Sequence, residues 1–86
     1  MKHNIYGEGK FQNIEFTDNQ STKSIGVIEP GSYTFTTEHE ETVQCLTGLL
    51  EINNKQCLPG EKIVTPKGES FTISAKETSS YLCLYK

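Results

Sequence analysis

The sequence predicts an all-β chain folded as one small sandwich or barrel, on three observations. Thr and Ser supply 17 of the 86 residues, whereas Ala occurs once; β-branched residues favour a pleated surface over a helix. No window carries a sustained 3.6-residue apolar period. Gly, Pro and Asn turn signals recur about every 8–12 residues, the spacing of sandwiches and small barrels. A chain of 86 residues is the length of one domain, so residues 1–86 are expected to form a single unit.

Each element follows in order. Ile5-Tyr6 and Lys10 to Phe16 read as early strands, the second with Phe11, Asn13 and Glu15 on one face and Gln12, Ile14 and Phe16 on the other. Asp18 to Ser21 is a polar turn, and Ser24 to Glu29 a strand with Gly26 inside it. Glu29-Pro30-Gly31 turns the chain, because Pro fixes φ and Gly accepts a positive one. Tyr33 to Thr37 alternates as a half-buried strand does. The acidic run Glu38-His39-Glu40-Glu41 comes next, then a strand from Val43 to Leu46 and a turn at Gly48. Leu49 to Ile52 and Lys55 to Leu58 flank Asn53-Asn54, a hairpin signal. Past the Leu58–Glu61 turn, Lys62 to Thr65 and Ser70 to Ser74 are strands joined at Pro66-Lys67-Gly68. Tyr81 to Tyr85 closes the chain.

Composition excludes several function classes. The net charge is −3 and there is no Arg, so no basic patch for nucleic acid is expected. No apolar run approaches the roughly 20 residues of a membrane-spanning helix. Met1-Lys2-His3-Asn4-Ile5 lacks an apolar leader core. A cytoplasmic location is therefore expected, with Cys45, Cys57 and Cys83 reduced. Two of them are expected as small core hydrophobes and one as a turn thiol.

The spacing of the turn residues is more specific. Gly60, five residues, Pro66, one residue, Gly68 reproduces the backbone half of the second cupin motif, G-x(5)-P-x-G-x(2)-H-x(3)-N. Gly31, five residues, Thr37, one residue, His39 follows the first motif, G-x(5)-H-x-H, and Glu41 stands seven residues before Gly48 as that motif's closing acid and glycine do. The chain thus resembles a cupin, a jelly-roll-like β-sandwich barrel. Its metal ligands are mostly replaced: Thr37, Phe71 and Ala75 stand where His, His and Asn belong. A metal shell needs three or four ligands, so no bound metal is expected.

A narrower resemblance lies in Ser24-Ile25-Gly26-Val27-Ile28-Glu29-Pro30-Gly31-Ser32-Tyr33-Thr34-Phe35-Thr36-Thr37. This is similar to the S-x-G-V-x-x-P-G-x-Y-x-F-x-T signature of the small pyrimidine/purine nucleoside phosphorylase family. Ser70-Phe71 and Tyr81-Leu82-Cys83-Leu84-Tyr85 match its S-F and Y-L-C-x-Y. The resemblance implies a metal-free, dimeric cupin that splits purine and pyrimidine nucleosides with inorganic phosphate into free base and ribose 1-phosphate, with no other cofactor. The chain departs from the family in its short Asn53-Asn54 hairpin and in having Leu84 where an Arg often stands.

Strand alternation then proposes the pocket wall. If Thr37 and His39 face in, so do Tyr33 and Phe35, with Glu41, Val43 and Cys45 following if the corner keeps phase. Phe71 and Ile73 face in from the second motif. In the last strand either Tyr81, Cys83 and Tyr85 or Leu82 and Leu84 face in; the first set is favoured. Under the resemblance His39 and Glu41 are the candidate catalytic groups, and Tyr33, Thr37, Ser70, Phe71, Tyr81 and Tyr85 the substrate-binding ones. Phosphate is left to the Thr37 and Ser70 hydroxyls and backbone N–H groups, to which a Lys could add charge, and the sequence does not say which Lys. Each has a plainer reading: His39 as an exposed corner residue, the acidic run as solvated loop, the aromatics as core. Two other functions stay open, a non-enzymatic sensor of a nucleoside or sugar and a residual metal cupin using His39 and Glu41. A homodimer is expected from the small size and the exposed strand edges.

Overall fold

The computed structural model describes residues 1–19 and 21–86. Ten strands run β1 (Lys2–Tyr6), β2 (Phe11–Thr17), β3 (Thr22–Ile28), β4 (Gly31–Thr36), β5 (Glu41–Thr47), β6 (Leu50–Ile52), β7 (Lys55–Cys57), β8 (Lys62–Thr65), β9 (Ser70–Ala75) and β10 (Ser79–Tyr85). They form a six-stranded sheet ordered β1-β2-β3-β10-β5-β8 and a four-stranded sheet ordered β4-β9-β6-β7. Every strand pair is antiparallel. This is the cupin-like sandwich that the turn spacing predicts. Among the described residues no helix is long and apolar enough to cross a membrane.

The turns work as the residue types dictate. Asn53 and Asn54 both take left-handed backbone, φ +52° and +65°, which is what a two-residue hairpin matched to strand twist requires. Gly7, Glu8 and Gly9 form a tight left-handed turn between β1 and β2. The expected polar turn at Asp18–Ser21 includes Gln20, which lies outside the described residues.

The sheets enclose one core of Phe11, Ile28, Val43, Leu50, Ile52, Phe71, Ile73 and Tyr81 with the three cysteines. Full burial of an Ile or Leu side chain contributes about 1.5–3 kcal/mol. All three thiols are buried, which corrects the expectation of a turn thiol. Cys57 ends β7 beside the Leu58–Glu61 turn, yet its side chain enters the core and its Sγ–H donates to the Glu61 carbonyl at 3.3 Å.

Two motif residues have a packing reason. Ser24 is fully buried, and its Oγ lies 2.9 Å from the Tyr85 hydroxyl. Gly26 faces Tyr81 across the β3–β10 pair, and a Cβ there would lie 2.4 Å from the Tyr81 ring. The ring thus rests on bare backbone. Gly26→Ala is expected to displace it and to lower stability by about 1–3 kcal/mol, the range for overpacking. Urea melts check this, and an unchanged midpoint would contradict it.

Alternation leaves the opposite face of the six-stranded sheet apolar and open. Ile14, Ile25 and Val27 are 44%, 47% and 49% exposed, and the register sets Ile14, Ile25 and Leu82 side by side across β2, β3 and β10.

Candidate active site

The inner faces of both sheets surround a cavity of about 470 Å³ at one end of the barrel. Alternation in β10 places Tyr81, Cys83 and Tyr85 on its wall, and β5 contributes Glu41 and Val43. Strand β9 adds Phe71 and Ile73, and the β4–β5 corner adds Thr37, Glu38 and His39.

Aromatic rings form one part of the wall: Tyr6, Phe11, Phe35, Phe71, Tyr81 and Tyr85. Phe35 meets Tyr6 edge-on at 5.1 Å and Phe11 at 5.6 Å, and it lies tilted against Phe71 at 5.9 Å. Phe11 also packs edge-on to Tyr81 at 6.0 Å. Such edge-to-face packing holds each ring in place.

Polar and charged residues share the wall, among them Lys2, Asn13, Glu15, Glu38, His39 and Glu41. Glu41 is 8% exposed and begins β5, so it belongs to the strand and not to the acidic loop before it. Its Oε1 accepts a hydrogen bond from the Cys83 thiol at 3.2 Å. Asn4 Nδ2 donates to Asn13 Oδ1 at 2.9 Å, and Asn13 Nδ2 donates to the Tyr81 hydroxyl at 3.1 Å. His39 is exposed at the rim, its Nδ1 3.0 Å from the Lys86 main-chain oxygen. That oxygen only accepts, so Nδ1 donates in this contact, and in the tautomer that fits it Nε2 is the acceptor.

Burial pushes the Tyr81 and Tyr85 phenols well above their ordinary value, outweighing the lowering hydrogen bonds from Asn13 to Tyr81 and from Ser24 to both. Burial, then the Glu41 carboxylate, pushes the Cys83 thiol up as well. These groups are protonated donors at neutral pH. They also link stability to pH. The folded state holds protons that the unfolded chain gives up near the ordinary 9.0 of Cys and 10.0 of Tyr. That stabilisation is complete below these values and is lost as pH rises past them. Melting temperature is expected to hold steady to about pH 8 and to fall above about pH 9. Thermal melts across this range check it; a steady melting temperature to about pH 11 would contradict it.

Of the residues predicted from sequence, Glu41, Thr37, His39, Phe71, Tyr81 and Tyr85 come together around this cavity. Thr37 is already engaged: its Oγ1 donates to the His39 carbonyl at 2.8 Å and accepts from the His39 N–H at 3.1 Å. It shapes the corner that carries the imidazole. Two predicted binding residues are not on the wall. Ser70 stands on the solvent face of β9, 3.1 Å from the Thr36 hydroxyl. Tyr33 packs behind the wall, edge-on to Phe11 at 5.2 Å, in the space above Gly7, where a Cβ would lie 2.6 Å from its ring.

Sequence reasoning missed Lys2, Tyr6, Asn13 and Glu15, all of which line the cavity. The alternation of Phe11, Asn13 and Glu15 was visible, but not that this face closes the barrel. Among the described residues no group of three or more His, Cys, Asp or Glu side chains is placed to hold a metal. His39 and Glu41 are too few donors for a metal shell.

Residues 1–85 match the family described as pyrimidine/purine nucleoside phosphorylase. Proteins of that name from Yersinia pestis (strain Pestoides F) and Yersinia pseudotuberculosis serotype O:3 are each 36% identical over 92 residues, covering 99% of this chain and 97% of theirs. A solved structure of a protein of unknown function from Vibrio parahaemolyticus has a TM-score of 0.89 at 28% identity, covering 99% of this chain and 97% of that one. A putative ethanolamine utilization protein Q from Salmonella typhimurium has a TM-score of 0.76 at 14% identity, covering 87% of this chain and 68% of that one; this likeness is one of fold alone.

Proposed function

The chain belongs to the pyrimidine/purine nucleoside phosphorylase family, and from that premise we propose that it splits purine and pyrimidine nucleosides with inorganic phosphate, without a metal, in the aromatic cavity. The observation that carries this reading is the buried Glu41 carboxylate on the wall of an aromatic slot of about 470 Å³. That volume lies within the range of small-ligand pockets, about 300–1,000 Å³.

In this reading the base lies between the aromatic rings, which accept every nucleobase by its π-face. A phosphate oxygen attacks C1′ as the bond from C1′ to the base nitrogen breaks, and the bonding pair leaves with the base. The ribose passes through a state with cationic character, and Glu41 opposes that charge in a poorly solvated site, where such an effect is strongest. His39 Nε2, the acceptor because Nδ1 donates to the Lys86 main-chain oxygen, takes the proton of the monohydrogen phosphate as its oxygen reacts. That proton passes from His39 to the departing base, so the products are neutral base and ribose 1-phosphate and the imidazole is restored. The Tyr81 and Tyr85 hydroxyls supply hydrogen-bond donors to the ligand.

The protein is further read as a cytoplasmic homodimer joined through the open apolar face around Ile14, Ile25, Val27 and Leu82. Sedimentation at micromolar concentration would then give twice the 9.6 kDa chain mass, and the monomer mass would count against it.

Base release from uridine and adenosine, with and without phosphate, tests the function. Release that needs phosphate is expected. Nucleoside binding with no release would make the cavity a sensor site, the competing reading.

A further inference from the structure

Inorganic phosphate carries between about one and two negative charges at neutral pH, the reacting monohydrogen form two, and the cavity already holds carboxylates. Glu15, Glu38 and Glu41 line it. A dianion is repelled by that wall unless a cation offsets it, and the chain contains no Arg. The side chains that can supply that cation are the eight lysines and two histidines, and His3 lines the groove on the outer face of the six-stranded sheet.

Position separates the lysines. Lys23, Lys76 and Lys86 pair with Asp18, Glu51 and Glu40. Lys10 lines the groove on the outer face of the six-stranded sheet. Among the described residues, Lys2 is the one lysine on the wall of the cavity. It lies opposite Glu15 in the β1–β2 register, yet makes no ion pair with it. Strand alternation explains the placement: Asn4 and Tyr6, two and four residues on, also face inward, through the Asn13 hydrogen bond and the Phe35 contact.

We infer that Lys2 is the anchor for the phosphate co-substrate, an assignment that rests on the phosphorolysis reading. Its ammonium is an unpaired, exposed cation at the rim, carried on a flexible stem, and lysine binds phosphate as a mobile point charge. The arrangement separates the two ends of the reaction. The dianion is held at the rim by Lys2, with the acceptor nitrogen of His39 on the same wall, while the buried Glu41 serves the sugar. Phosphate capture at an exposed lysine is screened by salt, so the phosphate KM is expected to rise with ionic strength.

The test is Lys2→Met, which keeps an unbranched stem and removes the charge, with Lys67→Met at the exposed Pro66-Lys67-Gly68 turn as control. Lys2→Met is expected to raise the phosphate KM about tenfold or more, equivalent to about 1.4 kcal/mol, and to leave the uridine KM within about twofold. Lys2→Arg restores most of the phosphate affinity, and Lys67→Met changes neither constant. Binding of inorganic phosphate alone, followed by 31P NMR, gives a readout without turnover. A wild-type phosphate KM in Lys2→Met, or equal phosphate binding by both proteins, overturns the assignment. Phosphate binding that needs Lys2 in a protein that releases no base would leave the anchor standing and overturn the phosphorolysis reading instead.

Discussion

Replacing Glu41 with glutamine is expected to lower kcat on uridine about a hundredfold, with the fold kept. The change removes a charge and almost no volume. The glutamine amide oxygen still accepts from the Cys83 thiol, now 3.2 Å from Glu41 Oε1, so the wall stays in place. What is lost is the negative charge facing a cationic ribose in a buried site, where a single electrostatic contact is worth about 10²–10³ in rate. The loss should fall on kcat and on kcat/KM alike, since the charge matters most in the transition state. Steady-state kinetics with a parallel thermal melt checks it. Wild-type kcat in a folded Glu41→Gln protein would reduce Glu41 to a packing partner of Cys83.

His39→Ala is expected to lower kcat/KM about thirtyfold or more, within the usual contribution of a positioned acid–base group. The imidazole is exposed, so stability should change little, whereas an acceptor nitrogen disappears from the rim. Added imidazole should restore part of the rate, because the truncation leaves room for it beside the Lys86 main-chain oxygen. No loss of activity would return His39 to an ordinary corner residue held by that oxygen.

Local signals carried much of this fold. Asn53-Asn54, Pro30-Gly31 and Pro66-Lys67-Gly68 mark turns by backbone chemistry alone. Alternation divides the last strand into Tyr81, Cys83, Tyr85 and Leu82, Leu84, and the structure turns the first set, the favoured one, inward. Ser70 shows where local reasoning fails. Phe71 and Ser70 are neighbours in β9, and successive side chains point to opposite faces. The inward Phe71 therefore sends Ser70 to solvent. Tyr33 shares the phase of Phe35 but sits two residues away, roughly 7 Å along the strand, where the Gly7 turn covers it. Thr37 occupies a motif position as expected, yet its hydroxyl is engaged by the backbone of His39.

Lys2, Asn13 and Glu15 were illegible for another reason. Their roles arise from closure of the barrel by β1 and β2, a contact between distant parts of the chain. Asn13 lies 68 residues from Tyr81 in sequence and 3.1 Å from its hydroxyl in space. No local pattern encodes that. The outer groove near Ile14 and Ile25 was hidden likewise, because only the register brings those residues beside Leu82.

The most direct test of phosphorolysis in the aromatic cavity is product stoichiometry. Uridine and inorganic phosphate are incubated with the purified chain while uracil is followed by absorbance and the sugar product by 31P NMR. The expected result is one ribose 1-phosphate formed for each uracil released, with both signals growing about a hundredfold more slowly in Glu41→Gln. Uracil appearing with free ribose, at a rate indifferent to phosphate, would contradict the account.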